Sequence, residues 1–228
     1  RTDYYTMWAH QIKTPIFALR LLLREEPEEN RESLAQLFRI EQYVEMALQY
    51  QRLDSETTDF VFEETDLDEI IRTSVRKYAR QFIAKKISLS YEPVERTVIT
   101  DKKWLSFVIE QVISNAVKYT KTGGIKIYLE DGDGTMSVPV QKASHRKEDD
   151  GENSGMKSVR LVIEDTGIGI RAEDLPRICE MGYTGCNGHE GQHSSGIGLY
   201  LCSRILKKLG HTFSITSKEW VGTVVKIG

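Results

Sequence analysis

The first quarter of the chain carries two apolar patterns with the spacing of amphipathic helices. The first repeats at intervals of four, three and four residues, on Ile12, Ile16, Leu19 and Leu23. The second follows Pro27, which favours a turn, and includes Leu34, Leu37, Val44 and Leu48. Residues 1–56 are therefore predicted to form a helical hairpin. Because one hairpin cannot bury such a seam well, we expect two copies to pair as a dimeric four-helix bundle.

After the short polar stretch 54–58, apolar patterns with strand and helix periods alternate. Strands are predicted at 60–64, 87–91, 97–100, 125–129, 159–163, 213–216 and 223–227. Helices are predicted at 67–85, after an Asp66 cap, and at 104–119. A third helix is predicted to open at Gly196-Ile197-Gly198 and to run through Leu209, stopping at Gly210. The pattern indicates an α/β sandwich over 59–228, with helices on one face of a mixed sheet, so the whole chain is classed as α+β.

Composition excludes several classes of protein. The 228 residues include 31 basic and 34 acidic side chains, giving a net charge of −3, which argues against nucleic acid as the main partner. Apolar runs are too short for a membrane span or a secretory signal. Three cysteines suit a reducing cytoplasm. The chain starts at Arg1 inside a helical pattern, and we expect it to be part of a longer protein.

Two polar segments admit more than one interpretation. Cys179, Cys186, His189 and His193 have the residue types of a zinc site. Their first spacing is longer than that of usual zinc knuckles, and a polar loop that happens to contain them is the simpler interpretation. The stretch 131–158 has few apolar residues, and we interpret it as an extension of a hairpin without an assigned function.

A carboxylate and two glycines follow the predicted strand 159–163, as Asp165-Thr166-Gly167-Ile168-Gly169. A buried carboxylate there can accept a hydrogen bond from an exocyclic amine such as adenine N6. Gly167 and Gly169 lack the Cβ atoms that would keep the backbone away from a flat ring. An ordinary turn after a strand has the same pattern and is the alternative.

Two further segments carry residues suited to a triphosphate. The helix 104–119 bears Asn115, whose carbonyl oxygen suits Mg²⁺, and ends with Lys118 and Tyr119. A second helix opens at Gly196-Ile197-Gly198-Leu199, where free N–H groups can meet phosphate oxygens. The alternatives are a packing hydrogen bond for Asn115, a solvated surface charge for Lys118 and a tight helix entry for the glycines. A G-x-x-x-x-G-K-[ST] loop is absent, which excludes the phosphate-loop mode of binding ATP.

The three segments N-A-x-K-Y, D-x-G-x-G and G-x-G-L together resemble the ATP-binding domain that sensor histidine kinases share with gyrase, the ninety-kilodalton heat-shock chaperones and mismatch-repair ATPases. The resemblance implies that Asn115 binds Mg²⁺, that Asp165 binds adenine, and that the glycines of the third segment shape phosphate contacts. It also implies that Lys118 approaches phosphate and Tyr119 approaches adenine. The polar residues 182–195 then correspond to a lid over ATP.

A histidine motif lies in the first helical pattern, as His10-Gln11-Ile12-Lys13-Thr14-Pro15. At about 100° per residue, His10 and Thr14 project away from the apolar seam. A lone surface histidine usually has no function, but this motif resembles the H-[ED]-x-x-T-P phosphoacceptor box of histidine kinases. The resemblance implies that His10 accepts the γ-phosphoryl group and that Thr14 positions water when the partner regulator is dephosphorylated. Pro15 is expected to bend the helix.

Gln11 departs from the family box, which has an acidic residue at this position. A neutral amide forms hydrogen bonds but cannot act as a base at neutral pH. A slower or differently regulated transfer is therefore expected. Phe17 and Leu21 lie on the same outward face as His10. They form either a docking patch for the receiver domain of a response regulator or a contact with the rest of the chain.

Residues 180–185, Glu-Met-Gly-Tyr-Thr-Gly, together with Trp8-Ala9-His10-Gln11, resemble a narrower group, the intramembrane-sensing kinases of low-GC Gram-positive bacteria. This resemblance implies a membrane anchor in segments absent from this chain and an ABC transporter of peptide antibiotics as a partner. Two other functional classes stay open. One is an ATPase that closes a dimer without phosphorylating itself, and the other is a non-catalytic scaffold that binds a regulator.

Overall fold

The computed structural model describes residues 2–54, 60–131, 159–185 and 195–228, without the side chains of residues 2–10 and 131. The chain divides into two compact units, Arg1–Phe60 and Val61–Gly228. Within the described residues, no helix has both the length and the apolar character needed to cross a bilayer.

The first unit is a pair of helices in contact with each other, α1 (Thr2–Leu23) and α2 (Arg31–Asp54). Leu37 and Leu48 of the predicted seam are buried. Lys13 forms an ion pair with Glu45 at 2.8 Å, and Arg20 pairs with Glu41, so charged pairs join the two helices beside the seam. The expectation for His10 concerns a side chain outside the described part, although its backbone belongs to α1.

The described residues of the second unit form three α-helices and seven strands. The helices are α3 (Leu67–Lys85), α4 (Lys102–Tyr119) and α5 (Gly198–Leu209), with a short 3₁₀ helix at Leu175–Arg177. The strands are β1 (Glu63–Asp66), β2 (Ser88–Tyr91), β3 (Thr97–Thr100), β4 (Gly124–Asp131), β5 (Val159–Asp165), β6 (Phe213–Lys218) and β7 (Gly222–Ile227). Asp66 caps α3 by accepting a hydrogen bond from the N–H of Asp68 at 2.9 Å. Gly210, with φ of 79°, ends α5.

Five of the strands form one mixed sheet in the order β2-β4-β5-β7-β6. The pair β2–β4 is parallel and the other three pairs are antiparallel. This confirms the α+β class and the mixed sheet. The remaining strands, β1 and β3, form a separate antiparallel pair, whereas the sequence predicted a single mixed sheet.

The predicted strand 60–64 is wrong in its bounds, since β1 covers Glu63–Asp66. Its partner β3 explains the shift, because Glu63 lies opposite Thr100, the last residue of that strand. Before Glu63 the N–H of Val61 donates to the Asp101 carboxylate at 2.9 Å. A side chain thus takes the place of a strand partner at this point.

Helix α4 is the centre of the second unit, in contact with α3, α5 and β5. Its buried residues are Trp104, Leu105, Phe107, Val108, Ile109, Gln111, Val112, Ile113, Ala116 and Val117. They lie on most sides of the helix, so α4 is enclosed for much of its length. Side chains at its C-terminal end are therefore held on a rigid element.

Candidate nucleotide site

Asp165 is the last residue of β5 and is buried. Its Oδ1 accepts a hydrogen bond from the N–H of Gly167 at 2.8 Å. Burial raises the pKa of the Asp165 carboxyl to about 6, against the lowering effect of hydrogen bonds from the N–H groups of Gly167 and Thr223. A buried carboxylate with remaining acceptor capacity is suited to an amine donor from a ligand.

Gly167 fills a narrow space between the carboxylate and the end of α4. A Cβ on Gly167 would lie 2.7 Å from the carbonyl oxygen of Tyr119 and 2.8 Å from Asp165 Oδ1. The next residue, Ile168, donates its N–H to that same Tyr119 oxygen at 3.2 Å. The Asp165 loop and the C-terminal turn of α4 are thus in direct contact.

Gly169 has a role in packing within the protein, and the close approach of a ring to it stays a prediction. Its φ is 67°, and a Cβ there would lie 2.1 Å from the carbonyl oxygen of Lys218. The absent Cβ therefore makes room for the β6–β7 hairpin. That hairpin also binds the loop directly, because Trp220 donates its N–H to the Ile168 carbonyl at 2.7 Å. The N–H of Ile170 donates to Ser217 Oγ at 2.9 Å.

The end of α4 carries the other predicted adenine and metal residues. Asn115 is half-buried beside the buried Ala116, and Lys118 and Tyr119 are also half-buried. The ammonium of Lys118 lies 5.1 Å from the centre of the Tyr119 ring. These side chains are partly open to solvent on the helix whose last carbonyl contacts the Asp165 loop.

Helix α5 begins at Gly198, so Gly198 and Leu199 lie in its first turn, and no side chain in the described part of the chain caps it. Gly196, just before it, has φ of 65°, and a Cβ there would lie 2.4 Å from the carbonyl carbon of Gly182. The N–H of Gly182 donates to the Gly196 carbonyl at 3.0 Å. An uncapped helix start offers N–H groups to an anion, and α5 packs on α4.

Residues 100–228 match the family model described as "Histidine kinase-, DNA gyrase B-, and HSP90-like ATPase". The match covers more than half of the chain. The chain belongs to this ATPase family. The expected ATP-binding domain of the histidine kinase and gyrase type is thereby confirmed.

Two curated relatives are sensor histidine kinases. The sensor histidine kinase YxdK of Bacillus subtilis is 33% identical over 99% of this chain and 64% of its own length. The sensor protein kinase GraS of Staphylococcus aureus is 30% identical over 97% of this chain and 58% of its own length. This chain spans less than two thirds of either relative.

A solved structure shares the fold. The crystal structure of full-length ShkA in complex with AMPPNP aligns with a TM-score of 0.67, at 18% identity, over 100% of this chain and 45% of ShkA. Fold similarity therefore extends over both the helical hairpin and the ATPase unit.

The residues present fit an adenine nucleotide of the kind that this ATPase family uses. Two features support the fit: a buried carboxylate acceptor at Asp165, and a glycine at 167 where a Cβ would close the space. The half-buried amide of Asn115 is the candidate oxygen ligand for Mg²⁺. Among the described residues no group of three His, Cys, Asp or Glu side chains is arranged to hold a metal ion, so a cation there would depend on phosphate oxygens for much of its coordination.

The other predicted site residues belong to the first unit or to undescribed segments. Gln11 and Thr14 are exposed on α1, and the exposure of Thr14 is as expected for the outward face. Three members of the possible zinc group, Cys186, His189 and His193, lie outside the described residues, as does most of the lid segment.

Two contributors to the site were missed by the sequence analysis. One is the β6–β7 hairpin, whose Ser217 and Trp220 form hydrogen bonds with the Asp165 loop. The other is Lys85, the last residue of α3, whose ammonium binds carbonyl groups at the end of α4. A basic residue in the last turn of a helix was the only available signal for Lys85, and that feature is common.

Proposed function

We propose that this chain is the catalytic core of a sensor histidine kinase, which transfers the γ-phosphoryl group of Mg-ATP to His10 and then to an aspartate of a response regulator. The observation that carries the nucleotide part is the buried Asp165 carboxylate beside Gly167, in contact with the end of α4. The two sensor kinase relatives, aligned over 99% and 97% of this chain, support the kinase part.

In this proposal the ATPase unit binds and orients the nucleotide. Asp165 accepts the adenine amine, while Gly167 and Gly169 keep the loop in its narrow path. Tyr119 lies beside the base, and Lys118 and the first turn of α5, at Gly198 and Leu199, contact phosphate. Asn115 holds Mg²⁺, which when bound neutralises charge on the phosphates. Positioning and charge stabilisation account for most of the catalysis.

His10 is the nucleophile. An imidazole nitrogen bonds to the γ-phosphorus as the bond from that phosphorus to the β–γ bridging oxygen breaks, and ADP leaves. The attacking nitrogen is the unprotonated one of a neutral imidazole, which carries the lone pair. Gln11 orients the ring through a hydrogen bond but does not remove a proton.

Homodimerisation of the hairpin is part of the proposal. A groove of about 430 Å³ between α1 and α2 is lined by Gln11, Ile12, Pro15, Ile16, Leu19, Leu37 and Ile40. Leu19 is 47% exposed and Ile40 is 49% exposed, so one hairpin leaves part of its apolar seam in water. A second copy that completes a four-helix bundle would cover it.

The response regulator is proposed to dock on the outward face of α1. Phe17 is 59% exposed and Leu21 is 49% exposed, and both follow His10 on the same face of the helix. Large apolar side chains held in water favour contact with another protein. Thr14, exposed one turn after His10, is proposed to position water when the chain dephosphorylates its regulator.

The wider assignments rest on sequence resemblance. Domain limits of 1–56 for the phosphotransfer hairpin and 59–228 for the catalytic unit are proposed. So are anchoring in the bacterial cell membrane, by segments absent from this chain, and a cytoplasmic place for this portion. The runs 180–185 and 8–11 support the peptide-antibiotic subgroup and hence an ABC transporter as a partner.

Incubation with γ-labelled ATP and Mg²⁺ tests the proposal. The expected product is an acid-labile, alkali-stable phosphoprotein that is absent in His10→Ala and present in the neighbouring Lys13→Ala control. Release of free phosphate without labelling would favour the dimer-closing ATPase instead. Failure to bind nucleotide would favour the scaffold.

A further inference from the structure

The C-terminal turn of α4 has carbonyl groups that need donors from outside the helix, because the last four C=O groups of any α-helix lack intrahelical partners. In α4 the first of these four carbonyl groups, that of Ala116, accepts a hydrogen bond from the N–H of Thr120 at 3.0 Å. The last, Tyr119, is bonded by the N–H of Ile168 at 3.2 Å. The two carbonyls between them require another source.

Lys85, in the last turn of α3, donates hydrogen bonds to these two carbonyl groups. Its half-buried ammonium donates to the carbonyl oxygens of Val117 at 2.6 Å and Lys118 at 3.0 Å, and it reaches that of Thr120 at 3.4 Å. A positive charge at a helix C-terminus is also favoured by the helix dipole. One side chain therefore binds the backbone on both sides of Tyr119.

We propose that Lys85 is a positioning residue for the nucleotide site, acting through the Tyr119 carbonyl. That oxygen accepts the N–H of Ile168 and lies 2.7 Å from where a Gly167 Cβ would be. Because Gly167 also donates to Asp165, the turn held by Lys85 sets the path of the loop that aims the carboxylate. The inference rests on one part of the proposed function, the binding of the adenine base by Asp165.

A matched control exists on the same two helices. Lys77 of α3 forms an ion pair with Glu110 in the middle of α4, about two turns away from Lys85. Lys77→Met and Lys85→Met each remove one ammonium that links α3 to α4. Only Lys85→Met leaves the turn beside Ile168 without its donor.

ADP affinity by calorimetry is the first readout, on the full chain and well below the unfolding temperature of each variant. We expect about tenfold weaker binding in Lys85→Met and less than about a twofold change in Lys77→Met. Lys85→Arg should restore affinity to within about threefold of wild type, because a guanidinium also donates to several oxygens. Equal ADP affinity in Lys85→Met and Lys77→Met would overturn the inference.

Hydrogen exchange of the Ile168 amide in the nucleotide-free chain is the second readout. We expect it to be about tenfold faster in Lys85→Met than in Lys77→Met, because the Tyr119 acceptor moves. Unchanged exchange at Ile168 would also overturn the inference. If wild type does not bind ADP, the proposed function fails, and the exchange measurement alone decides the role of Lys85.

Discussion

Ile168 donates its main-chain N–H to the carbonyl oxygen of Tyr119 at 3.2 Å. This bond joins the glycine loop after β5 to the end of α4, two segments that are distant in the sequence. The same loop receives the β6–β7 hairpin on its other side, through the bond from Trp220 to the Ile168 carbonyl at 2.7 Å. The Asp165 loop is thus held between a helix end and a hairpin.

Gly167→Ala should damage both this contact and nucleotide binding. The added Cβ would lie within 2.8 Å of Tyr119 O and Asp165 Oδ1, so the loop must shift. We expect a loss of about 1–3 kcal/mol in the free energy of unfolding and at least about tenfold weaker ADP binding.

Gly210→Ala is the control for Gly167→Ala. Gly210 has φ of 79° and nothing within 4 Å of its added Cβ, so alanine strains only the backbone at the end of α5, by about 1–2 kcal/mol. Denaturant unfolding should report a loss in both variants, and calorimetry should report weaker ADP binding only in Gly167→Ala. Equal ADP affinity in the two variants would contradict a role for Gly167 in nucleotide binding.

Asp165→Asn should weaken nucleotide binding without unfolding the chain. The Asn oxygen can still accept the N–H of Gly167, but its amide group presents donors where the adenine amine also donates. Losing a charge-assisted bond of about 1.5–3 kcal/mol corresponds to at least about tenfold weaker ATP binding. Glu164→Gln, the adjacent neutralised carboxyl on the same strand, should bind ATP as wild type does.

Nucleotide affinity should fall as the pH is lowered through about 6, the pKa of Asp165 raised mainly by burial. Protonation removes the acceptor that binds the base, so the slope should approach about tenfold per pH unit well below this value. The stability of the fold depends on pH in the opposite direction to nucleotide affinity. Because the folded pKa lies above the ordinary value of 3.8 for an aspartate, stability is greatest when Asp165 is protonated and declines as the pH rises through about 6.

Titration of the Asp165→Asn variant separates the carboxyl from the phosphates of the nucleotide, which also titrate near this pH. The difference in log affinity between wild type and variant should shrink on acidification. A constant difference between pH 5 and 8, the range that brackets a pKa of about 6, would show that Asp165 does not carry the effect.

Leu19→Glu should convert a dimer into a monomer. Leu19 lines the groove between α1 and α2 and is 47% exposed in one hairpin, so a carboxylate there would be buried by a second copy. Light scattering after gel filtration gives the mass directly. Phe17→Glu is the control, since Phe17 is 59% exposed but does not line the groove. It should stay dimeric while phosphotransfer to the regulator slows, and a dimeric Leu19→Glu would contradict the bundle.

Local patterns were sufficient to predict much of the fold. The bounds of α3 were predicted because aspartate is a residue type typical of helix caps and the apolar period starts directly after Asp66. In the structure Asp66 does cap the helix. The bounds of β3 were also predicted, at Thr97–Thr100. By contrast, β1 was predicted too early in the chain, because the apolar residues Val61 and Phe62 were included in it. These two residues are exposed and precede the strand.

The candidate site was proposed from the sequence as a set of residues, and the contacts between those residues were not predicted. Asp165 and Gly167 follow a recognisable strand, so their motif can be read from the chain. The contact of Gly169 with Lys218, and that of Lys85 with the end of α4, join segments that the topology brings together. No period or cap in one segment contains information about such a partner, because the partner is selected by packing.

Gln11→Glu should accelerate autophosphorylation. Gln11 follows the proposed phosphoacceptor and is exposed on α1 in one hairpin. It also lines the groove that a second copy would cover, so burial in the dimer offsets part of the effect of a carboxylate there. A carboxylate beside the imidazole can orient the ring and accept its proton, whereas the amide can only orient it. General base catalysis contributes about 10²–10⁴-fold when fully developed, and we expect a gain of up to about tenfold from this position, which the proposed dimer covers in part. Rates of phosphohistidine formation at saturating Mg-ATP measure it, with Gln11→Ala, which removes both effects, as the control. If Gln11→Glu and wild type react at the same rate and Gln11→Ala is unimpaired, the side chain after His10 has no part in the transfer.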